Sequence, residues 1–359
     1  MKALITAGGK GTRLRPITYT SNKHLIPIAN KPMIAYAVDA VVGAGIKDIG
    51  IVINPDTGRE MERALNDMNS WGARFTFIVQ EAPLGLAHVI KVSRSFIGEE
   101  PFIFYLGDNV IVKGIDGFLK DFLQSGDNAH LVLARVKEPQ RFGVAAIKEG
   151  RIVSVEEKPA RPKSEYAVTG IYFYDQTIFE AVENITPSDR GELEISDAHQ
   201  YLIDKGCRVG YSEATGWWKD TGKPEDLLEA NRLVLDQMLD GREDDISGDV
   251  DEKTDIAGKV VIEGGAKVSN SSLRGPLIIG NGCVVENSYI GPYTSIDAEC
   301  LIRDSEVEYS VVMEQCHIVE ADIRIERSLL GRGAKIIKGY SRPRTQRFII
   351  GDQSTIVLA

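Results

Sequence analysis

The chain has 359 residues, more than one hydrophobic core ordinarily holds, so two domains are expected. Apolar residues make up 43% and charged residues 26%, the balance of an ordinary water-soluble protein, and the formal net charge of −10 argues against a nucleic-acid-binding surface. Cys207, Cys283, Cys300 and Cys316 form no C-x-x-C pair, hence neither a zinc site nor a redox motif. The first apolar run is too short for a signal peptide, and no segment approaches the roughly 20 apolar residues that span a bilayer. A cytoplasmic enzyme is expected, without a membrane or nucleic-acid partner.

The first predicted strand, Ala3–Ile5, breaks at Gly8-Gly9-Lys10-Gly11, and Thr12-Arg13 follows at once. Lys23, Pro27 and Lys31-Pro32 come shortly after. Glycines behind a buried strand let backbone N–H groups close on a ligand, and such a concavity of amides suits an anion. With Arg13 and Lys23 adding full positive charge, the simplest ligand is a polyphosphate. Two familiar phosphate loops fail here. No glycine supplies the frame of a P-loop, and the third glycine of the dinucleotide fingerprint is replaced by Leu14.

Further strands are predicted at Ile49–Ile53, Phe75–Val79, Phe102–Leu106, His130–Ala134 and Gly143–Ile147. Amphipathic stretches lie at Met33–Ala44, Arg59–Met68 and Ala87–Ile97. Strands spaced by helix-length segments imply a Rossmann-like α/β domain, a mostly parallel sheet covered on both faces, with ligands beyond the carboxyl ends of its strands. Asp108 and Asn109 fall at that edge, after the fourth strand. A single Asp there is most often a cap or turn residue. Paired with Asp220 and a phosphate loop, it makes sense as a magnesium ligand, since Mg²⁺ takes one or two carboxylates plus phosphate oxygens. Gln80, with both a donor and an acceptor, is able to pair with a base edge, and Gly85 would let a base lie flat on the backbone.

The domain is expected to end near residue 240, where an acidic stretch reads as a linker over 241–255. From 256 to 359 apolar residues recur every five to six positions. Ile256, Leu273, Ile290 and Val307 mark a turn of roughly 17 residues, and Ser271, Ser288, Ser305 and Cys283, Cys300, Cys316 keep the same beat. This is the hexapeptide period of a left-handed parallel β-helix, with an extra rung near Tyr309–Met313. The stacked cysteines are expected inside as small apolar side chains. The segment Arg347–Leu358 is expected to return as a strand covering the open end.

Taken together, Gly-Gly-x-Gly-Thr-Arg-Leu over 8–14, Lys23-x-x-x-Pro27 and Lys31-Pro32 resemble the signature of the sugar-phosphate nucleotidyltransferases. The resemblance extends over nearly all of residues 1–240, through Glu157-Lys158-Pro159, Ala167–Asp175 and the block Arg190-Gly191-Glu192-Leu193-Glu194-Ile195. The β-helix is similar to the extension of the family's long forms. Two departures lie near the nucleotide: Thr6 stands where an apolar residue is usual, and His24 where many relatives carry Gln. The resemblance implies that Ala7, Gly8, Gly9, Gly11, Thr12 and Arg13 bind the nucleotide, with Gln80 and Gly85 at the base. It implies Asp108 and Asp220 as ligands of Mg²⁺, and Asn109, Gly143, Glu157, Lys158, Val168, Gly170 and Arg190 around the sugar phosphate. Arg13, Lys23, Lys158 and Arg190 would be the cations of the reaction. The implied substrates are dTTP and glucose 1-phosphate, in a homo-oligomer. The alternatives are a UTP-using or broad-specificity enzyme, a second acetyltransferase activity in the β-helix, where His317 is the only histidine, and a non-catalytic regulatory subunit. Retention of Arg13, Lys23, Asp108, Lys158 and Asp220 speaks against the last.

Overall fold

The computed structural model describes residues 1–111, 113–214, 216–238 and 245–339. They fall into two compact units. The first comprises Met1–Gly11, Ser21–Ile26 and Pro32–Gly222. The second comprises Thr12–Thr20, Pro27–Lys31 and the described residues from Lys223 onward.

In chain order the first unit contains β1 (Lys2–Thr6), α1 (Met33–Gly43), β2 (Asp48–Ile53), α2 (Gly58–Asp67), β3 (Arg74–Val79), α3 (Leu86–Val92), β4 (Phe102–Leu106) and β5 (Asn109–Ile111). There follow α4 (Asp116–Ser125), β6 (Ala129–Arg135), β7 (Gly143–Lys148), β8 (Arg151–Glu157), β9 (Tyr166–Tyr174), α5 (Thr177–Asn184), α6 (Ile195–Asp204), β10 (Val209–Glu213) and β11 (Trp218–Asp220). The main sheet runs β8-β7-β9-β4-β1-β2-β3, with β6 also on β9 and β10 on β6. β1 lies at its centre, parallel to both β2 and β4. Its apolar run is continuous because both faces are covered: Leu4 packs into one core, Ala3 and Ile5 into the other.

The expected sheet is mixed: it is parallel across β3-β2-β1-β4 and again between β6 and β10. β9 runs antiparallel to β4, β6 and β7, and β8 runs antiparallel to β7. The stretch predicted as one helix over 87–97 is two, Leu86–Val92 and Arg94–Ile97. They part at Ser93, whose hydroxyl bonds back to the Val89 carbonyl at 2.8 Å and bends the chain.

The second unit is a parallel β-helix of three sheets, of the left-handed type that its hexapeptide period defines. The predicted column is its register: Ile256 pairs with Leu273, Leu273 with Ile290, and Ile290 with Val307. Cys283, Cys300 and Cys316 lie in its apolar core. Ser271, Ser288 and Ser305 form a ladder: the Ser271 hydroxyl accepts from the Ser288 amide, that of Ser288 from Ser305, and that of Ser305 from Ala321. The expected extra rung near Tyr309–Met313 is instead a shortened coil. Ile278 meets Ser295 seventeen residues on, but Ser295 meets Val311. The helix α7 (Pro224–Met238) packs here through Asn231, which donates to the Tyr293 carbonyl, and through Glu229, which accepts from the Tyr309 hydroxyl. Within the stretch read as a linker, Asp245–Ile246 and Asp249–Val250 pair with later coils. The strand expected at Arg347–Leu358 lies outside the described residues.

Candidate active site

Because β1 and β4 pair in parallel, Thr6 opposite Leu106, their carboxyl ends deliver two loops to one edge. The first begins at Ala7, whose amide donates to the Val52 carbonyl at 2.7 Å. Gly8 follows, so close to the next strand that a Cβ would stand 3.3 Å from the Asn54 nitrogen. Gly9 faces the His24 ring and Gly11 takes a φ of 57°. Thr12 and Arg13 belong to the second unit, in a 3₁₀ turn, Thr12–Leu14, that buries Leu14.

The second loop carries Asp108. Its Oδ2 accepts from the Lys23 ammonium at 2.5 Å. Burial would raise the carboxyl's pKa, but Lys23 overcomes it and holds Asp108 down at about 2. Lys23 is itself buried, in a short turn capped by Asn22, whose side chain accepts from the His24 amide. Burial also lowers His24 to about 4, so its imidazole is neutral and donates from Nδ1 to Asn22 Oδ1 at 3.0 Å. The other oxygen of Asp108 accepts from the Asn109 amide at 3.0 Å, and Asn109 accepts from the Trp218 indole at 2.7 Å. β5 and β11 form an antiparallel ribbon that sets Asp220 opposite Asn109, one position from Asp108. Asn109 thus orients Asp108 within the ribbon.

On the other side of Asp108 the sheet opens toward β9. The pairing of β9 with β6 breaks between Val168 and Tyr172, and Gly170 sits in that irregularity with a φ of 86°. A side chain there would collide with Leu106 and reach within 3.1 Å of the Asn109 amide. Gly143 pairs with Glu157, and a Cβ on it would lie 2.7 Å from Ser196 Oγ, 3.3 Å from Glu157 Oε2 and 3.7 Å from Val168. Gly143, Glu157, Val168 and Gly170 therefore share one wall. Lys158 adopts a φ of 43°, unusual for a side-chain-bearing residue, and contacts Glu157 at 3.3 Å. Arg190 donates to Glu194 at 2.7 Å and to Glu157 at 3.3 Å. A cavity of about 510 Å³ opens beside them, lined by Glu157, Lys163, Ser188, Arg190, Glu194 and Asp197.

The structure thus gathers Ala7, Gly8, Gly9, Lys23, Asp108, Asn109, Asp220 and Gly170 along one edge, and Gly143, Glu157, Lys158, Val168 and Arg190 next to it. Gln80 and Gly85 sit on a neighbouring loop with partners of their own. The Gln80 amide donates to the Gly85 carbonyl at 3.2 Å, and a Cβ on Gly85 would fall 2.4 Å from the Leu193 oxygen. Close backbone approach accounts for that glycine. Sequence reasoning passed over Asn22, Ser196 and Trp218 and gave Glu194 no role. The signal was adjacency alone, beside Lys23, within the Arg190 block and beside Asp220.

The residues fit a divalent cation. Strand register puts Asp220 one position from Asp108, two hard oxygen donors of the kind Mg²⁺ takes, and Asp108 already accepts a cation, the Lys23 ammonium. Among the described residues no cluster of three His, Cys, Asp or Glu side chains has metal-binding geometry, so phosphate oxygens would have to complete the shell.

A mixed sheet with a glycine turn, Lys23 and Asp108 at the carboxyl edge of its parallel strands defines the architecture of the class. The chain belongs to the nucleotidyl transferase family, whose model matches residues 2–237. It is 48% identical to the glucose-1-phosphate thymidylyltransferase of Streptomyces griseus over 99% of this chain and 98% of that one. It is 45% identical to the enzyme of that name from Streptomyces antibioticus, over 99% of both chains. A Bacillus anthracis protein crystallised with sucrose, and described as a glucose-1-phosphate thymidylyltransferase, superposes with a TM-score of 0.62 at 37% identity. That match covers 68% of this chain and 98% of the other. A divalent metal belongs to the chemistry of this family. No helix among the described residues is long and apolar enough to cross a membrane.

Proposed function

We propose that the protein is a glucose-1-phosphate thymidylyltransferase, which converts dTTP and glucose 1-phosphate into dTDP-glucose and pyrophosphate. The near full-length likeness to enzymes of that name supports the substrates. The observation that carries the mechanism is the position of Asp108, with the glycine turn and Lys23 on one side and the Gly143–Glu157–Gly170 wall on the other. Two phosphates held on those two sides would meet over its carboxylate.

A phosphate oxygen of glucose 1-phosphate attacks the α-phosphorus of the nucleotide in line. The new P–O bond forms as the bond to the bridging oxygen breaks, and that oxygen takes the electron pair away with pyrophosphate. The nucleophile is already an anion, so no general base is required, and catalysis is positioning and charge stabilisation. The amides of Gly8 and Gly9 and the side chain of Lys23 hold the triphosphate. Gln80 and Gly85 meet the base. Lys158 and Arg190 hold the sugar phosphate, and Glu157 accepts from sugar hydroxyls. Asp108 and Asp220 would hold Mg²⁺, which supplies charge neutralisation between the two substrates. Both substrates belong to the cytoplasmic pool, and cytoplasmic work as a homo-oligomer is part of this reading. Preference for dTTP over UTP rests on one methyl group, which a hydrophobic pocket discriminates only modestly.

Pyrophosphate release from dTTP, UTP, ATP, CTP and GTP with glucose 1-phosphate and Mg²⁺ tests the proposal. Highest turnover with dTTP is expected. Absence of turnover with every nucleotide overturns it.

A further inference from the structure

The glycine turn is held from behind by a closed ring of hydrogen bonds. Asn22, 2% exposed, donates one amide proton to the Ala7 carbonyl at 3.0 Å and the other to Thr57 Oγ1 at 2.8 Å. The Thr57 hydroxyl donates to Asn54 Oδ1 at 3.2 Å, and the Thr57 amide donates to the same oxygen at 2.8 Å. Asn54 Nδ2 closes the ring by donating to the Gly8 carbonyl at 2.9 Å. Each donor meets an acceptor, so the ring fixes the orientation of both side-chain amides.

The consequence follows from peptide geometry. In a planar trans peptide the C=O and N–H point in opposite directions. No cis bond stands at Ala7–Gly8 or Gly8–Gly9, so both peptides are trans. Holding the carbonyls of Ala7 and Gly8 toward Asn22 and Asn54 therefore turns the amides of Gly8 and Gly9 away from the ring. Among the described residues neither amide has a protein acceptor. Two consecutive donors left open and aimed the same way form an anion-binding concavity. Fixing them beforehand removes the entropy otherwise lost when the anion orders the loop.

We propose that Asn54, Thr57 and Asn22 are positioning residues for the phosphates of the nucleotide, acting by clamping the carbonyls of Ala7 and Gly8 so that the amides of Gly8 and Gly9 face the ligand. This rests on the reading of the turn as a triphosphate site. None of the three touches the reacting atoms.

The probe is inorganic tripolyphosphate with Mg²⁺, titrated calorimetrically into the full chain, because the clamp serves phosphates whatever the base. Asn54→Ala and the isosteric Thr57→Val are each expected to weaken tripolyphosphate binding about tenfold, the worth of one well-formed hydrogen bond to a poised group. Thr57→Ser, which keeps the hydroxyl, is expected to restore it. In steady-state kinetics KM for the nucleotide rises while KM for glucose 1-phosphate stays within twofold. Wild-type affinity in Asn54→Ala and Thr57→Val overturns the proposal, even if both variants melt earlier. Weakened tripolyphosphate binding together with turnover of a nucleotide other than dTTP supports the clamp and corrects only the substrate. A wild-type chain without affinity for tripolyphosphate overturns the phosphate reading and the clamp with it.

Discussion

Asp108 faces two demands: it must stay ionised although partly buried, and it must remain able to serve a second cation. Lys23 meets the first, and the resulting pKa of about 2 keeps the carboxylate charged at any working pH. Asp108→Asn and Asp220→Asn are each expected to lower kcat by about 10² or more, the scale of a lost electrostatic group at a phosphoryl centre. The far-UV spectrum should be unchanged, and stopped-flow pyrophosphate release measures the rate. Lys23→Met leaves the carboxylate without its ammonium. Since the folded pKa lies below the ordinary 3.8, the pair contributes stability above that value and loses it as pH falls from 3.8 toward 2. Melting curves across that window should show wild type losing this contribution and Lys23→Met lacking it throughout. Arg190, proposed to meet the sugar phosphate, is held by the buried Glu194. Arg190→Met is expected to raise KM for glucose 1-phosphate by about tenfold or more, because a charge-assisted contact is lost. KM for the nucleotide should hardly move.

At the scale of the element, two glycines show how strand geometry makes room for chemistry. Gly170 interrupts the pairing of β9, and Gly143 opens β7 beside Glu157. Either side chain would fill the wall that faces Asp108. Gly85 is different in kind. Its φ of 98° and the 2.4 Å approach of the Leu193 oxygen make it a packing glycine. Gly85→Ala is expected to cost about 1–3 kcal/mol of stability through backbone strain, measured by urea unfolding. The β-helix answers to a simpler rule, one inward side chain per side of each coil. Leu273 is fully buried between Ile256 and Ile290. Leu273→Ala leaves a cavity that neighbouring coils cannot close and should cost about 2–5 kcal/mol.

Across the whole molecule, the net charge is −10, so in the proposed reaction Lys23, Lys158 and Arg190 would hold substrate anions against the sign of the overall field. Acid sensitivity has a second source in the fold. His199 is completely buried against Tyr174, its Nδ1 has no partner, and burial depresses its pKa from 6.5 to about 3. The unfolded imidazole binds a proton that the folded one refuses. Stability is therefore complete above pH 6.5 and falls as pH drops toward 3, in the same direction as the Asp108 contribution but starting earlier. His199→Gln, which still accepts from the Tyr174 hydroxyl, should flatten the melting temperature between pH 6.5 and 4.

The sequence by itself determined the two architectures and singled out candidate residues for one sheet edge. The strand-then-glycine pattern of residues 3–11 and the 17-residue beat of Ile256, Leu273, Ile290 and Val307 are local signals, each repeating within the span of one element. Local pattern also pointed to Asp108 and Asp220, and the family resemblance to Lys158 and Arg190. It did not say that β9 runs against β4, since strand direction depends on how distant segments meet. Nor did it say that Lys23 lies on Asp108, that Trp218 and Asn109 aim Asp108, or that Asn22, Thr57 and Asn54 grip the glycine turn. Most of these contacts join residues far apart in the chain, and only packing the segments against one sheet brings their donors and acceptors within hydrogen-bond distance.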